Sequence, residues 1–239
     1  MPFATNREDG VRIHYESEGS GLPLVIHHGF GSSGERWRER GWTDALGSEL
    51  QLIFVDGRGH GESDRPTDAY AYDARLRAMD VASVLNDAEI KQAHYLGYSM
   101  GSLIGMACAI YTPQRFRSLI LGGYSPGGAP DSPMANQDFE EIWESLKDRP
   151  DASRDAWAAC VEGGGRFGGA VQALRTTSVP LLMFAGSGDT TRYEGVKQFC
   201  EQQDVPWFAL DGKSHVEASH EIDDIAPRVL EFVRGVGGD

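Results

Sequence analysis

The pentapeptide Gly97-Tyr98-Ser99-Met100-Gly101 constrains the fold of this chain more than any other stretch. The apolar and aromatic residues 93–96 before it predict a buried strand, and the apolar residues 102–111 after it predict a helix. The two outer glycines allow a sharp turn from strand to helix, and the helix N-terminus favours negative charge beside the serine. This context exposes a serine hydroxyl at the end of a sheet. We therefore interpret Ser99 as a nucleophile rather than as an ordinary serine in a glycine turn.

Apolar runs alternate with helical patterns along most of the chain. This alternation predicts an α/β fold with a mostly parallel, doubly wound sheet and helices on both faces. The predicted strands cover residues 11–16 (an edge strand), 22–27, 52–55, 93–96, 118–123, 179–185 and 206–210. The predicted helices cover residues 35–40, 43–50, 71–86, 102–111, about 194–202 and a closing stretch from 222 onward. On the helix over 71–86, the apolar face is expected to carry Tyr72, Leu76 and Met79.

The segment 124–178 interrupts the alternation and predicts a short helical cap, inserted into a core of residues 1–123 and 179–239. It opens with a Gly/Pro-rich hinge at 125–130, and helical spacing predicts helices around 139–146, 157–161 and 170–174. Three aromatic residues of this cap are candidates for substrate binding, or equally for the core of the cap itself: Trp143, Trp157 and Phe167.

Composition narrows the class of partner. The chain has 22 basic and 36 acidic residues, so its net charge is −14, which argues against nucleic acid and anionic membrane surfaces. No apolar run reaches the length of a membrane span, and residues 1–9 lack the apolar core of a signal peptide. We expect a cytoplasmic monomer or homodimer that acts on a small molecule.

The sequence also predicts no metal and no cofactor. The three cysteines are far apart in sequence and are expected to be reduced, and neither HExxH nor a Walker A lysine occurs. Residues 163–168 match Gly-x-Gly-x-x-Gly, but they follow a predicted helix instead of a strand, so we interpret them as a hinge.

A serine nucleophile needs a base to take its proton, and the base needs an acid that fixes its tautomer. In a parallel sheet such groups meet at the carboxyl ends of strands. Asp189 follows the strand predicted at 179–185, and His215 follows the strand predicted at 206–210. We therefore assign Asp189 as the acid and His215 as the base.

Other residues compete for both roles. Asp204 and Glu194 are nearby acids, but the first precedes a strand and the second opens a helix. His220 lies at the start of the closing helix, too far from the strand end, so His215 is preferred.

The order Ser99, Asp189, His215 resembles that of the α/β-hydrolase family. The resemblance covers nearly all of the chain and includes the loop at His28-Gly29 and the glycine-rich turn Asp56-Gly57-Arg58-Gly59-His60-Gly61-Glu62-Ser63. It implies the α/β-hydrolase fold and an oxyanion hole built from the backbone N–H groups of Phe30 and Met100. His27 and His28 are expected to shape this loop by hydrogen bonding, and His60 to be structural.

Serine at position 99, where some members of the family have aspartate, argues against dehalogenase or epoxide hydrolase chemistry. The resemblance implies hydrolysis of a small carboxylic ester, lactone or thioester through an acyl-enzyme intermediate, and the short cap predicts a small pocket. Two alternatives stay open. One is a carbon–carbon bond hydrolase or elimination enzyme of the same fold, with Arg166 and Arg175 as candidate anion-binding residues; the other is a small-molecule receptor that retains the triad.

Overall fold

The computed structural model describes residues 2–126, 139–164, 167 and 169–236. In these ranges eight strands form one sheet in the order β1-β2-β4-β3-β5-β6-β7-β8. The strands are β1 Phe3–Thr5, β2 Arg12–Gly19, β3 Leu22–His27, β4 Leu50–Val55, β5 Ala93–Tyr98, β6 Phe116–Gly122, β7 Leu181–Gly186 and β8 Trp207–Leu210. The β1–β2 and β2–β4 pairs are antiparallel and all other pairs are parallel, so the predicted mostly parallel sheet is confirmed.

The α-helices of the described ranges pack on this sheet or connect its strands. They are α1 Gly34–Trp37, α2 Thr43–Leu46, α3 Ala74–Asp87, α4 Met100–Tyr111, α5 Phe139–Leu146, α6 Arg154–Gly164, α7 Ala170–Thr176, α8 Thr190–Gln203, α9 His215–Ala218 and α10 Ile222–Val236. A π-helical turn at Arg38–Trp42 joins α1 to α2, and a 3₁₀ turn at Ala69–Tyr72 precedes α3. Within those ranges, no helix is both long enough and apolar enough to cross a bilayer.

Each face of the sheet has its own apolar core, because alternate side chains of a strand point in opposite directions. Leu24 and Ile26 of β3 share one core with Trp42 and with apolar residues of α10. Val25, between them, belongs to the other core, which is covered by α3, α4, α7 and α8. The doubly wound arrangement therefore follows directly from these two cores.

The structure corrects the sequence prediction at the sheet edge. Strand β2 is not an edge strand, because β1 pairs with it and forms the outer strand. A strand of three residues is too short to show an alternating pattern, so the sequence pattern does not predict β1.

Three helices also differ from prediction. The helix expected at 43–50 ends at Leu46, since β4 already begins at Leu50, and α8 begins at Thr190 instead of 194. In α3 the predicted apolar residues Leu76 and Met79 are only half-buried, whereas Asp80 is buried. Asp80 can be buried because Arg58 donates two hydrogen bonds to its carboxylate, at 2.7 and 2.6 Å.

Helices α5, α6 and α7 follow β6 in the chain, where the cap was predicted. Helix α6 packs against the 3₁₀ turn at Ala69–Tyr72, where a side chain at Gly163 would overlap the carbonyl of Ala69. Two hinges were predicted, at 125–130 and 163–168. Residues 127–130 of the first and Gly165, Arg166 and Gly168 of the second lie outside the described residues. The division into core and cap at 124 and 178 stays a prediction.

Asp56 organises the glycine-rich turn that follows β4. Its Oδ1 accepts from the N–H of Gly34 at 2.6 Å, and its Oδ2 accepts from the N–H of Glu62 at 2.9 Å. Oδ2 also lies 2.8 Å from Nδ1 of His14, and both side chains of this pair are buried. The hydrogen bond to Asp56 raises the pKa of His14, although burial opposes it. For Asp56, burial would raise the pKa, but His14 and the two N–H groups outweigh it and keep the pKa below its ordinary value.

The His14–Asp56 pair gives a pH-dependent contribution to stability. A histidine whose folded pKa is raised stabilises most below its unfolded pKa of 6.5, and loses that contribution as pH rises through the folded value. We expect His14→Gln to lower the free energy of unfolding by about 2–3 kcal/mol at pH 5.5, the range for a hydrogen bond to a charged group, and by less at pH 8.5. Urea unfolding at the two pH values measures the difference.

His94 is a matched control with the opposite sign. It is buried beside the Ser118 hydroxyl, 2.7 Å away, and burial lowers its pKa to about 4. At pH 5.5 the unfolded chain protonates this histidine and the folded chain does not, which costs the parent protein about 1 kcal/mol. His94→Gln should therefore lower the free energy of unfolding by less at pH 5.5 than at pH 8.5. If the free energy of unfolding changed with pH in the same way in both variants, the opposite pKa shifts of His14 and His94 would be contradicted.

Candidate active site

The turn between β5 and α4 holds Ser99 in a strained conformation. Ser99 has φ +54° and ψ −109°, a backbone region that residues with a side chain rarely occupy. The neighbouring chain fits only glycine on either side: a side chain at Gly97 would overlap the carbonyl of Gly101, and one at Gly101 would overlap the carbonyl of His27. The tight packing around the turn thus maintains the strain that presents Ser99 at the end of the sheet.

The structure brings together the three residues that the sequence predicted as nucleophile, base and acid. Nε2 of His215 lies 3.0 Å from Oγ of Ser99, at hydrogen-bond distance. Nδ1 of His215 lies 3.1 Å from Oδ2 of Asp189, but the ring N–H is not aligned as a hydrogen bond. Catalytic hydrogen bonds are often poorly aligned without substrate and tighten when it binds. The geometry is that of a serine, a base and an orienting acid.

Two successive strands place the acid and the base. Asp189 is the N-terminal cap residue of α8, just after β7, and His215 is the first residue of α9, just after β8. The segment after β8 is thus a short helix. Ser214 begins that helix with a capping box, in which its side chain and that of Glu217 each bond the other's backbone N–H.

Arg192 shares the carboxylate of Asp189. Nη1 of Arg192 lies 3.0 Å from Oδ2 and 3.3 Å from Oδ1 of Asp189. Burial alone would raise the pKa of Asp189, but His215 and Arg192 outweigh it and hold the pKa below its ordinary value. The acid is therefore ionised beside His215, as an orienting carboxylate must be.

Tyr98 fixes the base from the other side. Its hydroxyl donates to the backbone carbonyl of His215 at 2.6 Å, and the two rings lie 5.2 Å apart, centroid to centroid. Tyr98 and Arg192 thus contact the predicted base and acid, and neither was identified from the sequence. The spacing of Arg192 three residues after Asp189 on one helix was a usable signal, whereas the contact of Tyr98 depends on tertiary packing.

The residues that competed for these roles in the sequence are the acids Asp204 and Glu194 and the histidine His220. Asp204 is exposed at the C-terminal end of α8, and Glu194 is exposed on the same helix. His220 borders the same cavity as Ser99, but its Nδ1 donates to the carbonyl of Val216 at 2.9 Å.

Phe30 and Met100, the predicted oxyanion-hole residues, both line the cavity that contains Ser99. Met100 is the first residue of α4, so its N–H has no partner within the helix. The hydrogen bonds of the described residues include none donated by the N–H of Phe30 or of Met100. Both donors are thus available to a ligand, and their role as an oxyanion hole stays a prediction.

His28 shapes the loop that carries Phe30. Its Nδ1 donates to the carbonyl of Gly29 at 2.7 Å, and its Nε2 accepts from the N–H of Gly57 at 3.0 Å. One neutral tautomer satisfies both bonds, and burial lowers the pKa of His28, which favours the neutral form. Burial likewise lowers the pKa of His27 to about 3, so neither histidine carries charge near neutral pH.

The cavity at Ser99 has a volume of about 750 Å³. This falls within the usual range of roughly 300–1,000 Å³ for small-molecule sites, and the preference for a small substrate stays a prediction. Its lining from the cap includes Ile142, Leu146, Cys160 and Val161.

The cap aromatics proposed for substrate binding, Trp143, Trp157 and Phe167, do not line this cavity, and that prediction is corrected. Trp157 is fully buried, stacks on His60, and donates through Nε1 to the carbonyl of Gly59 at 3.0 Å. Trp143 packs edge-on against Trp157, and Phe167 is buried. The alternative, that these rings form the core of the cap, stays a prediction, and Trp157 contacts the turn after β4.

Comparison with known proteins agrees with this architecture. The profile of the alpha/beta hydrolase fold family matches residues 23–153. The 2-hydroxymuconate semialdehyde hydrolase of Pseudomonas sp. strain CF600 is 36% identical over 115 residues, which are 48% of this chain and 40% of that protein. The chain thus matches less than half the length of such curated relatives.

Solved structures match over almost the whole chain. A thermophilic esterase from Thermogutta terrifontis aligns with a TM-score of 0.82 and 21% identity, covering 100% of this chain and 99% of that one. The enol-lactonase of Burkholderia xenovorans LB400 aligns with a TM-score of 0.79 and 19% identity, covering 98% and 100%. At these identities the likeness concerns the fold alone. Because the family profile spans more than half of the chain, the protein belongs to the alpha/beta hydrolase fold family.

Proposed function

We propose that the protein is a serine hydrolase that cleaves a small carboxylic ester, lactone or thioester through an acyl-enzyme intermediate. The observation that carries this proposal is the hydrogen-bond distance of 3.0 Å between Nε2 of His215 and Oγ of Ser99, beside the carboxylate of Asp189. Structural neighbours named as esterases and an enol-lactonase support the same class of reaction.

The proposed reaction has two halves. Oγ of Ser99 attacks the carbonyl carbon of the substrate while Nε2 of His215 takes the hydroxyl proton, and Asp189 stabilises the resulting imidazolium. The N–H groups of Phe30 and Met100 donate to the oxyanion of the tetrahedral intermediate. His215 then protonates the leaving oxygen or sulfur, and the acyl group stays on Ser99.

In the second half, water replaces the leaving group. His215 takes a proton from water, the hydroxide attacks the acyl carbon, and the carboxylic acid leaves as Ser99 regains its proton from His215. Every group used in either half borders one cavity or contacts a residue that does.

Replacing the nucleophile tests the proposal directly. Ser99→Ala should lower kcat for 4-nitrophenyl acetate and butyrate by at least about 1,000-fold, because no acyl-enzyme can form. The assay follows nitrophenolate release over many turnovers, with circular dichroism to check folding.

Ser102→Ala is the matched control for Ser99→Ala. Ser102 lies three residues later, and its Oγ donates to the carbonyls of Gly97 and Gly122 instead of facing the cavity. This variant should keep the parent kcat. If the parent is labelled at Ser99 by a fluorophosphonate yet turns over no ester, the esterase proposal fails, and the carbon–carbon hydrolase and receptor alternatives gain support.

A second substitution tests the acid. Asp189→Asn preserves volume but removes the charge that stabilises the imidazolium of His215, so kcat should fall by roughly 1,000- to 10,000-fold. Asp204→Asn makes the same chemical change on the exposed end of α8, and it should leave kcat unaltered. Equal activity of the two variants would show that Asp189 is not the acid.

A further inference from the structure

The cavity at Ser99 has a charge opposite to that of the chain as a whole. The net charge of the protein is −14, yet five arginines line this cavity: Arg36, Arg40, Arg77, Arg149 and Arg192. Among the described lining residues, Glu39 alone is acidic, and it is exposed. An acidic surface repels anions at long range, so this concentration of positive charge requires a local explanation.

Two of the five arginines have carboxylate partners. Arg192 pairs with Asp189 at 3.0 Å, and Arg36 pairs with Asp151 at 3.2 Å. These two positive charges are balanced within the protein.

Arg40 and Arg149 are not balanced in this way. Among the described residues, no carboxylate oxygen lies within 4.0 Å of either guanidinium. Burial, followed by repulsion from Arg149 and Arg36, lowers the pKa of Arg40 to about 10. Burial and repulsion from Arg36 also lower the pKa of Arg149, against the opposing effect of Asp151. Each pKa is lowered first by burial and then by the positive charge of neighbouring arginines.

Both arginines are anchored next to the reacting groups. Nη1 of Arg40 donates to the carbonyl of Ser219 at 2.9 Å, and Ser219 directly follows the helix of His215. Nη1 of Arg149 lies 3.8 Å from the position that a Cβ would take at Gly31, the residue after Phe30. The pair therefore lies beside the base on one side and the predicted oxyanion loop on the other.

We propose that Arg40 and Arg149 bind a carboxylate of the substrate, so that the natural substrate is an acidic ester, lactone or thioester. This inference rests on the proposed hydrolase function and specifies its substrate class. A planar carboxylate matches the fork of a guanidinium, which gives charge-assisted hydrogen bonds and fixes orientation.

Matched ester pairs measure this preference. Monomethyl adipate and methyl hexanoate differ by a carboxylate in the acyl part, and 3-acetoxybenzoate and 3-methylphenyl acetate differ by one in the alcohol part. In at least one pair, kcat/KM of the parent should favour the charged member by about tenfold or more. Arg149→Gln and Arg40→Gln should each lower kcat/KM for that member by about 10- to 100-fold, and change the neutral member by less than about threefold.

Arg75→Gln is the control for charge alone. Arg75 is exposed, pairs with Glu8 at 2.6 Å and does not line the cavity, but its substitution removes the same single positive charge. It should leave the ratio of charged to neutral substrate unchanged. The proposal is overturned if the parent prefers neither charged ester, or if Arg149→Gln and Arg75→Gln alter that ratio equally.

Equilibrium binding separates this proposal from the proposed hydrolase function. If neither member of any pair is hydrolysed, the hydrolase proposal fails, and calorimetric titration with adipate then decides on the carboxylate site. Binding that weakens at least tenfold in Arg149→Gln, but not in Arg75→Gln, supports the site; equal binding by all three proteins overturns it. Tighter binding of inorganic phosphate than of adipate would overturn the choice of a carboxylate.

Discussion

The close packing of the β5–α4 turn against the end of β3 is the constraint on which the rest of the site depends. Gly101 contacts the backbone of His27 so closely that no side chain fits between them, and this contact holds Ser99 at φ +54°. The same contact sets the distance from Ser99 to the loop after His28. A strained serine persists only where surrounding structure determines it fully, and here two strands and a helix do so.

The turn after β4 is held rigidly and contacts helix α6. Asp56 fixes the turn through His14 and two backbone N–H groups, and within the turn the carbonyl of Gly59 accepts from the indole of Trp157. Helix α6 thus contacts the turn after β4, a segment that is itself held by a buried carboxylate. Other residues of the same helix line the cavity that contains Ser99, among them Cys160 and Val161.

The sequence predicted those features that depend on local pattern and chain order. Glycine spacing located Ser99, and strand ends located Asp189 and His215, because parallel strands bring their carboxyl ends to one edge. The pattern could not show which face of a cap helix lines the cavity. Trp143 and Trp157 were therefore proposed to bind substrate, whereas Ile142 and Val161 line the cavity. Nor could it show β1, since three residues give no period, or the contacts of Arg40, which join residues 179 positions apart.

Buried charges away from the cavity have partners of opposite charge, whereas a buried arginine at the cavity wall does not have one among the described residues. Asp56 is paired with His14, and Arg58 is paired with Asp80, so these buried charges hold the structure in one arrangement. Arg77 is equally buried and lines the cavity, but among the described residues it has no carboxylate partner, and its Nε donates to the carbonyl of Tyr72 at 2.7 Å. Leaving a buried charge without a counter-ion costs stability, and the proposed substrate carboxylate would supply a counter-ion at this wall. The proposal thus places the acidic substrate against the arginines that have no carboxylate partner among the described residues, and it does so independently of the residues that would cleave the substrate.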